Sequence, residues 1–186
     1  MSFVRVLAAV LLALVPSFLV PAPAGAMTDE MAFVVSSQQG DGGMDASTAR
    51  VVRAILEYSR WPKRADPVRL CVIGQADNAE GLEAIILPDG RQVAVRQLTR
   101  DAVAAPAACD AFYLGAMDLA AMRQWTARAR GLPIVTIAER DPQCRSEAMF
   151  CLVYKPAAVT FRLNIDAVAR SGVRVDPRVL RMAEGR

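Results

Sequence analysis

The chain has 186 residues, with 22 Lys+Arg against 19 Asp+Glu, a net charge of +3, four cysteines and no histidine. Without histidine there is no Ser-His-Asp triad, no Cys-His dyad and no His-ligated metal, which leaves an enzyme only carboxylate or Lys/Tyr chemistry. The weak basic excess is spread along the chain rather than gathered into a patch, which argues against nucleic-acid binding.

Met1 to Ala26 reads as a secretory signal peptide. Arg5 supplies the positive start, Val6 to Val20 the apolar stretch, and Ala24-Gly25-Ala26 a small-x-small cleavage site. Pro16 and the shortness of the apolar run argue against an uncleaved membrane anchor, which needs about 20 apolar residues. Residues 27–44 read as a flexible lead-in, because Ser36 to Gly43 is polar and glycine-rich and buries too little to offset its ordering entropy. Within it, Met31 to Val35 offers a short strand or a helix turn.

One α/β domain is expected over 45–186. Asp45, Ser47 or Thr48 can cap a helix running to about Arg60, with Val51, Val52, Ile55 and Leu56 on its apolar face. Pro62 disfavours helical geometry at Trp61 and ends it. Val68 to Ile73 is a buried-strand run stopped by Gly74. Asn78 to Leu87 reads as a helix with Leu82, Ile85 and Ile86 facing the core, Pro88-Asp89-Gly90 as a turn, and Arg91 to Leu98 as a strand. Asp110 to Leu114 is a further strand. A helix from Leu119 to Arg130 follows, stopped by Gly131, and then a strand from Ile134 to Ala138. Strands alternating with helices predict a mostly parallel sheet flanked by helices. Met149 to Tyr154 and Val159 to Leu163 flank a connection short enough for an antiparallel hairpin. Short helices are expected at Ile165 to Arg170 and after Asp176-Pro177.

Export makes Cys71, Cys109, Cys144 and Cys151 a disulfide framework rather than a metal or redox site, and no C-x-x-C is present. Of the three possible pairings, Cys71–Cys109 with Cys144–Cys151 is favoured, because each joins neighbouring parts of the predicted sheet. Loop entropy assigns about 4 kcal/mol to the longer loop and about 2.5 kcal/mol to the shorter. Cys144, beyond the Glu139–Pro142 loop, is expected to be the more exposed and its bridge the more easily reduced.

No other motif commits the chain to catalysis, a cofactor or a metal. Gly74-Gln75-Ala76-Asp77 lacks the glycines of a dinucleotide loop. Glu139-Arg140-Asp141 sits at a strand end, where acid/base groups often lie, but reads better as a solvated charge cluster. Trp61, beside Pro62, either staples its helix to the sheet or stands as an aromatic anchor for a partner.

The order of motifs resembles the YfiR family of periplasmic regulators. It is carried by Glu57-Tyr58-Ser59-Arg60-Trp61-Pro62, Val68 to Gly74, Cys109 to Leu114, Leu132 to Ile137, and Phe161-Arg162-Leu163-Asn164 through Ala169. The resemblance covers about 48–184. It implies a periplasmic, non-enzymatic, dimeric repressor with two disulfides. Such a protein binds the periplasmic sensor domain of an inner-membrane diguanylate cyclase, lowers cyclic-di-GMP and biofilm formation, and is linked to redox sensing. It implies no catalytic residue and no cofactor. The competing expectation is a periplasmic α/β enzyme or small-ligand-binding protein working through the loops after Gly74 and Ala138.

Overall fold

The structure, a computed structural model, describes residues 32–33, 43–102, 108–156 and 158–182. The signal peptide, its cleavage site and the polar stretch Ser36 to Gly42 lie outside the described residues. Among these residues no helix is long and apolar enough to cross a membrane.

Four long apolar runs become the middle of a seven-stranded sheet. Strand β3 (Val68–Ile73) lies between β4 (Val93–Leu98) and β5 (Ala111–Leu114); β6 (Val135–Ala138) and β7 (Phe150–Lys155) follow, and all these neighbours are parallel. Strand β8 (Ala158–Leu163) returns antiparallel to β7 as a hairpin, and β1 (Ala32–Phe33) adds two residues to its far edge. This is the expected mostly parallel α/β sheet with an antiparallel hairpin at its C-terminal side.

Alternation along β3 sorts its side chains into two cores. Leu70 and Val72 pack with Val51, Val52, Ile55 and Leu56 of helix α1 (Gly43–Glu57). Cys71 and Ile73 pack on the opposite face with Met122 and Trp125 of helix α2 (Leu119–Ala129). Because β5 and β6 are covered on both faces, all eight of their residues are buried, which explains their unbroken apolar runs. Phe112 meets Trp125 edge-on at 5.4 Å, and the Trp125 indole N–H donates to the Arg100 carbonyl at 2.9 Å, so the largest buried ring also has its polar atom satisfied.

Three local expectations are corrected. Helix α1 starts at Gly43 and ends at Glu57, short of Arg60. None of the three suggested caps sits at its start. Asp45 instead accepts the Glu80 N–H at 3.2 Å, while Ser47 and Thr48 are buried within the helix. Residues 59 and 60 leave the helix because β2 (Ser59–Arg60) pairs antiparallel with β9 (Arg174–Val175). The stretch from Asn78 to Leu87 holds only a 3-10 turn, Glu80–Ala84. Its C-terminal part is claimed by a tight hairpin around Gly90, in which Val93 N–H reaches Ile85 O and Leu87 N–H reaches Arg91 O. Ile85 is therefore buried, whereas Ile86 is 57% exposed rather than core-facing.

The chain closes with helix α3 (Ile165–Ala169) and helix α4 (Arg178–Met182). The Asn164 side chain accepts the Ala167 N–H at 2.9 Å, and Phe161 is fully buried against Phe150. The Phe-x-x-Asn spacing thus joins a core anchor to a helix cap.

Candidate functional site

At the C-terminal ends of the parallel strands the loops after β3 and β5 close on each other, while a cavity of about 470 Å3 lined by Asp77, Asn78, Glu139 and Tyr154 opens beside them. The sheet order reverses between β3 and β5, the place where open α/β sheets usually take ligands. Here the two following loops are joined by a bridge between Gln75 and Ala116, with Ala116 N–H donating to Gln75 O at 2.6 Å. A Cβ on Gly115 would collide with the Gln75 carbonyl, so the absence of a side chain is what lets the loops close.

Glu139 and Asp141 also lie at this end, and they are not the solvated cluster their sequence suggested. Both are buried, at 1% and 4% exposure. Glu139 accepts the backbone N–H groups of Asp77 and Asn78 at 3.0 and 2.8 Å, and Asp141 accepts that of Ser146 at 2.6 Å. Arg140 alone faces outward, paired with Asp77. Their carboxylates thus tie loops together through backbone donors.

Beneath Glu139 lies a chain of hydroxyls. Thr48 Oγ1 donates to the Tyr154 hydroxyl at 3.2 Å, and the Tyr154 and Tyr113 hydroxyls are 3.4 Å apart. Burial pushes the Tyr113 phenol up, helped by Tyr154 and Glu139; burial likewise raises Tyr154. The folded state therefore keeps protons that the unfolded chain releases near pH ~10, so stability is complete below that pH and falls as pH rises above it. In an alkaline titration followed by ultraviolet absorbance, the phenolate signals of Tyr113 and Tyr154 are expected to appear only with unfolding. Tyr113→Phe should flatten the alkaline loss of stability, and an unchanged slope would count against this assignment.

The opposite, N-terminal end of the strands carries the exposed surface. Trp61 is half-buried, and its indole N–H donates to the Asp110 carbonyl at 2.9 Å. The Asp110 carboxylate is held in turn by the Arg69 N–H and guanidinium at 2.8–2.9 Å. Trp61 therefore is stapled to the sheet and still presents its ring, which lines three neighbouring cavities of about 450, 460 and 490 Å3. Pro62, Leu132 and Pro133 extend the apolar surface into solvent, and Cys109 lies at its base. Leu132 and Pro133 were not singled out as site residues in the sequence. The available signal was an apolar pair just after the helix-ending Gly131, whose φ of 75° turns the chain.

The four cysteines are joined as Cys71–Cys109, with Cα atoms 5.9 Å apart, and Cys144–Cys151, at 5.4 Å. Cys71, Cys109 and Cys151 are buried, and Cys144 alone reaches the surface. No group of three or more potential metal-ligating side chains occurs among the described residues.

Comparison with protein-family models gives a match described as YfiR/HmsC-like, spanning residues 45–184 and so nearly the whole described domain.

Proposed function

The chain belongs to the YfiR/HmsC-like family, a family of periplasmic regulators, and from that premise we propose that it inhibits an inner-membrane diguanylate cyclase by binding the cyclase's periplasmic sensor domain. In this reading the signal peptide is removed after Ala26, the mature chain works in the periplasm as a non-enzymatic dimer, and it needs no cofactor. The observation that carries the reading is the apolar surface of Trp61, Pro62, Leu132 and Pro133, held in place by Asp110 and Arg69. A half-exposed tryptophan pinned at its polar atom is a low-entropy anchor of the kind that dominates interface energetics. Two disulfides, one at the surface's base and one where β7 meets the end of β6, support rigidity and the oxidising compartment.

An inhibitor acts across the membrane only by preferring the inactive state of the sensor domain. Moving that equilibrium from 1:99 to 99:1 takes a preference of about 10⁴-fold, or about 5.5 kcal/mol. Deleting the gene is expected to raise cyclic-di-GMP and surface attachment, and deleting the cyclase as well should abolish the rise. Complementation with Trp61→Ala should fail to restore repression although the protein accumulates. Unchanged cyclic-di-GMP in a strain that expresses the cyclase would instead favour a periplasmic enzyme or ligand carrier.

A further inference from the structure

We infer that the Trp61 surface receives an acidic, extended segment of the partner protein, whose apolar side chains lie against Trp61 and Leu132 while its carboxylates meet Arg60, Lys63 and Arg174. This rests on the cyclase-binding reading and specifies its chemistry.

The cations around Trp61 divide into two sets. Arg69 is bound to Asp110, Arg91 to Asp89 at 2.7 Å, and Arg64 to Asp66 and Asp89 at 3.5 and 3.9 Å. Arg60, Lys63 and Arg174 carry no ion pair among the described residues, although each lines a cavity that also touches Trp61. Among the described residues Arg60 donates to the nearby backbone carbonyls of Glu57 and Ser59, and it feels the Asp176 carboxylate, which is itself paired with Arg178. Glu57 is the single rim acid without an ion pair, so the surplus is positive.

Register sharpens the point. Arg60 and Arg174 stand directly opposite each other in the β2–β9 pair. Like charges at that position destabilise a two-stranded sheet; the Asp176 carboxylate, held down chiefly by Arg178 and also by Arg60, offsets part of this, and a further anion between the two arginines would relieve the rest. The cavity they share with Trp61, Pro62 and Gly172 is about 490 Å3, open and large enough for carboxylate side chains of another chain. Across Trp61, the cavity walled by Pro62, Leu132, Pro133 and Ile134 is mostly apolar, with the mutually paired Arg69 and Asp110 on one side and Lys63 at its rim. Apolar and cationic ground alternate around one ring, which suits an extended chain that alternates apolar and acidic residues. A second copy of this chain is disfavoured as occupant, because a two-fold contact would set the same surplus cations face to face.

The test uses the mature protein and detergent-solubilised membranes from cells expressing the cyclase, with captured cyclase quantified. The variants are Lys63→Glu, Arg174→Glu and their combination. Both side chains are exposed, so thermal midpoints close to wild type are expected and certify the fold. Wild-type affinity should fall about tenfold between about 50 and about 500 mM salt, and the double reversal should weaken capture by about 100-fold with little remaining salt dependence. If wild type captures the cyclase and the double reversal matches it at every salt concentration, the acidic segment is refuted and cyclase binding stands. If wild type captures no cyclase, both fall. Vesicles of phosphatidylglycerol form the control arm. Charge-dependent vesicle binding with unaltered cyclase capture would assign these cations to a lipid surface and overturn the inference.

Discussion

Replacing Cys71 with serine is expected to lower the stability of the oxidised protein by about 4 kcal/mol, and Cys109→Ser by a similar amount, because either change opens one long covalent loop. The bridge spans a sequence separation of 38, enclosing β4 and the connection back to β5, and it ties β3 to the residues that lead into its parallel neighbour β5. Without it the unfolded chain regains the entropy of that loop, while the folded chain must hold a hydroxyl at a position with no exposed surface. Cys144–Cys151 spans a separation of 7, and its loss should cost about 2.5 kcal/mol. Because the paired substitutions remove the same bond, Cys71→Ser combined with Cys109→Ser should cost little more than either alone. Urea unfolding of the single and double variants checks both the ranking and the non-additivity. A larger loss at Cys144 than at Cys71 would mean that loop entropy does not govern the order. Graded reduction with thiol trapping should open Cys144–Cys151 first, since Cys144 is the one cysteine of the four that is partly exposed.

What could be read in advance depended on where each element finds its partners. From Leu70 to Ile73 the strand is buried on both faces, so its apolar run is unbroken there, and its ends are marked by Pro67 and Gly74. The β7–β8 hairpin is equally local. By contrast, Ser59 and Arg60 are drawn from the helix by residues 174 and 175, more than a hundred positions away, and no nearby residue signals that pairing. Leu82, Ile85 and Ile86 fit a helical stripe, but a hairpin around Gly90 takes the backbone of the last two and turns Ile86 outward. Trp61 and Pro62 were legible as a candidate surface because tryptophan is enriched at binding hot spots. Leu132 and Pro133 complete that surface only through folding, and the tie from Trp61 to Asp110 spans 49 residues.

Glu139→Ala is expected to cost about 3 kcal/mol and Glu139→Gln about 1.5 kcal/mol, although the residue looks in sequence like part of a surface charge cluster. One carboxylate satisfies the Asp77 and Asn78 N–H groups, accepts from the Asn78 side-chain amide at 3.3 Å and faces the Tyr113 hydroxyl. Alanine leaves those donors unpaired at a site where Glu139 itself has 1% exposure, and it removes the tie between the loops after β3 and β6. Glutamine keeps one acceptor oxygen but turns an NH2 group toward the other donor, so part of the loss remains. Charge-assisted bonds to backbone N–H groups are about twice as strong as neutral ones, which makes the two substitutions separable. Urea unfolding gives the magnitudes. Hydrogen exchange gives the mechanism: both the Asp77 and Asn78 amides should lose protection in Glu139→Ala and one of them in Glu139→Gln, while β3 and β5 keep theirs. Equal stability for all three proteins, with those amides still protected, would show that Glu139 does not clamp this end of the sheet.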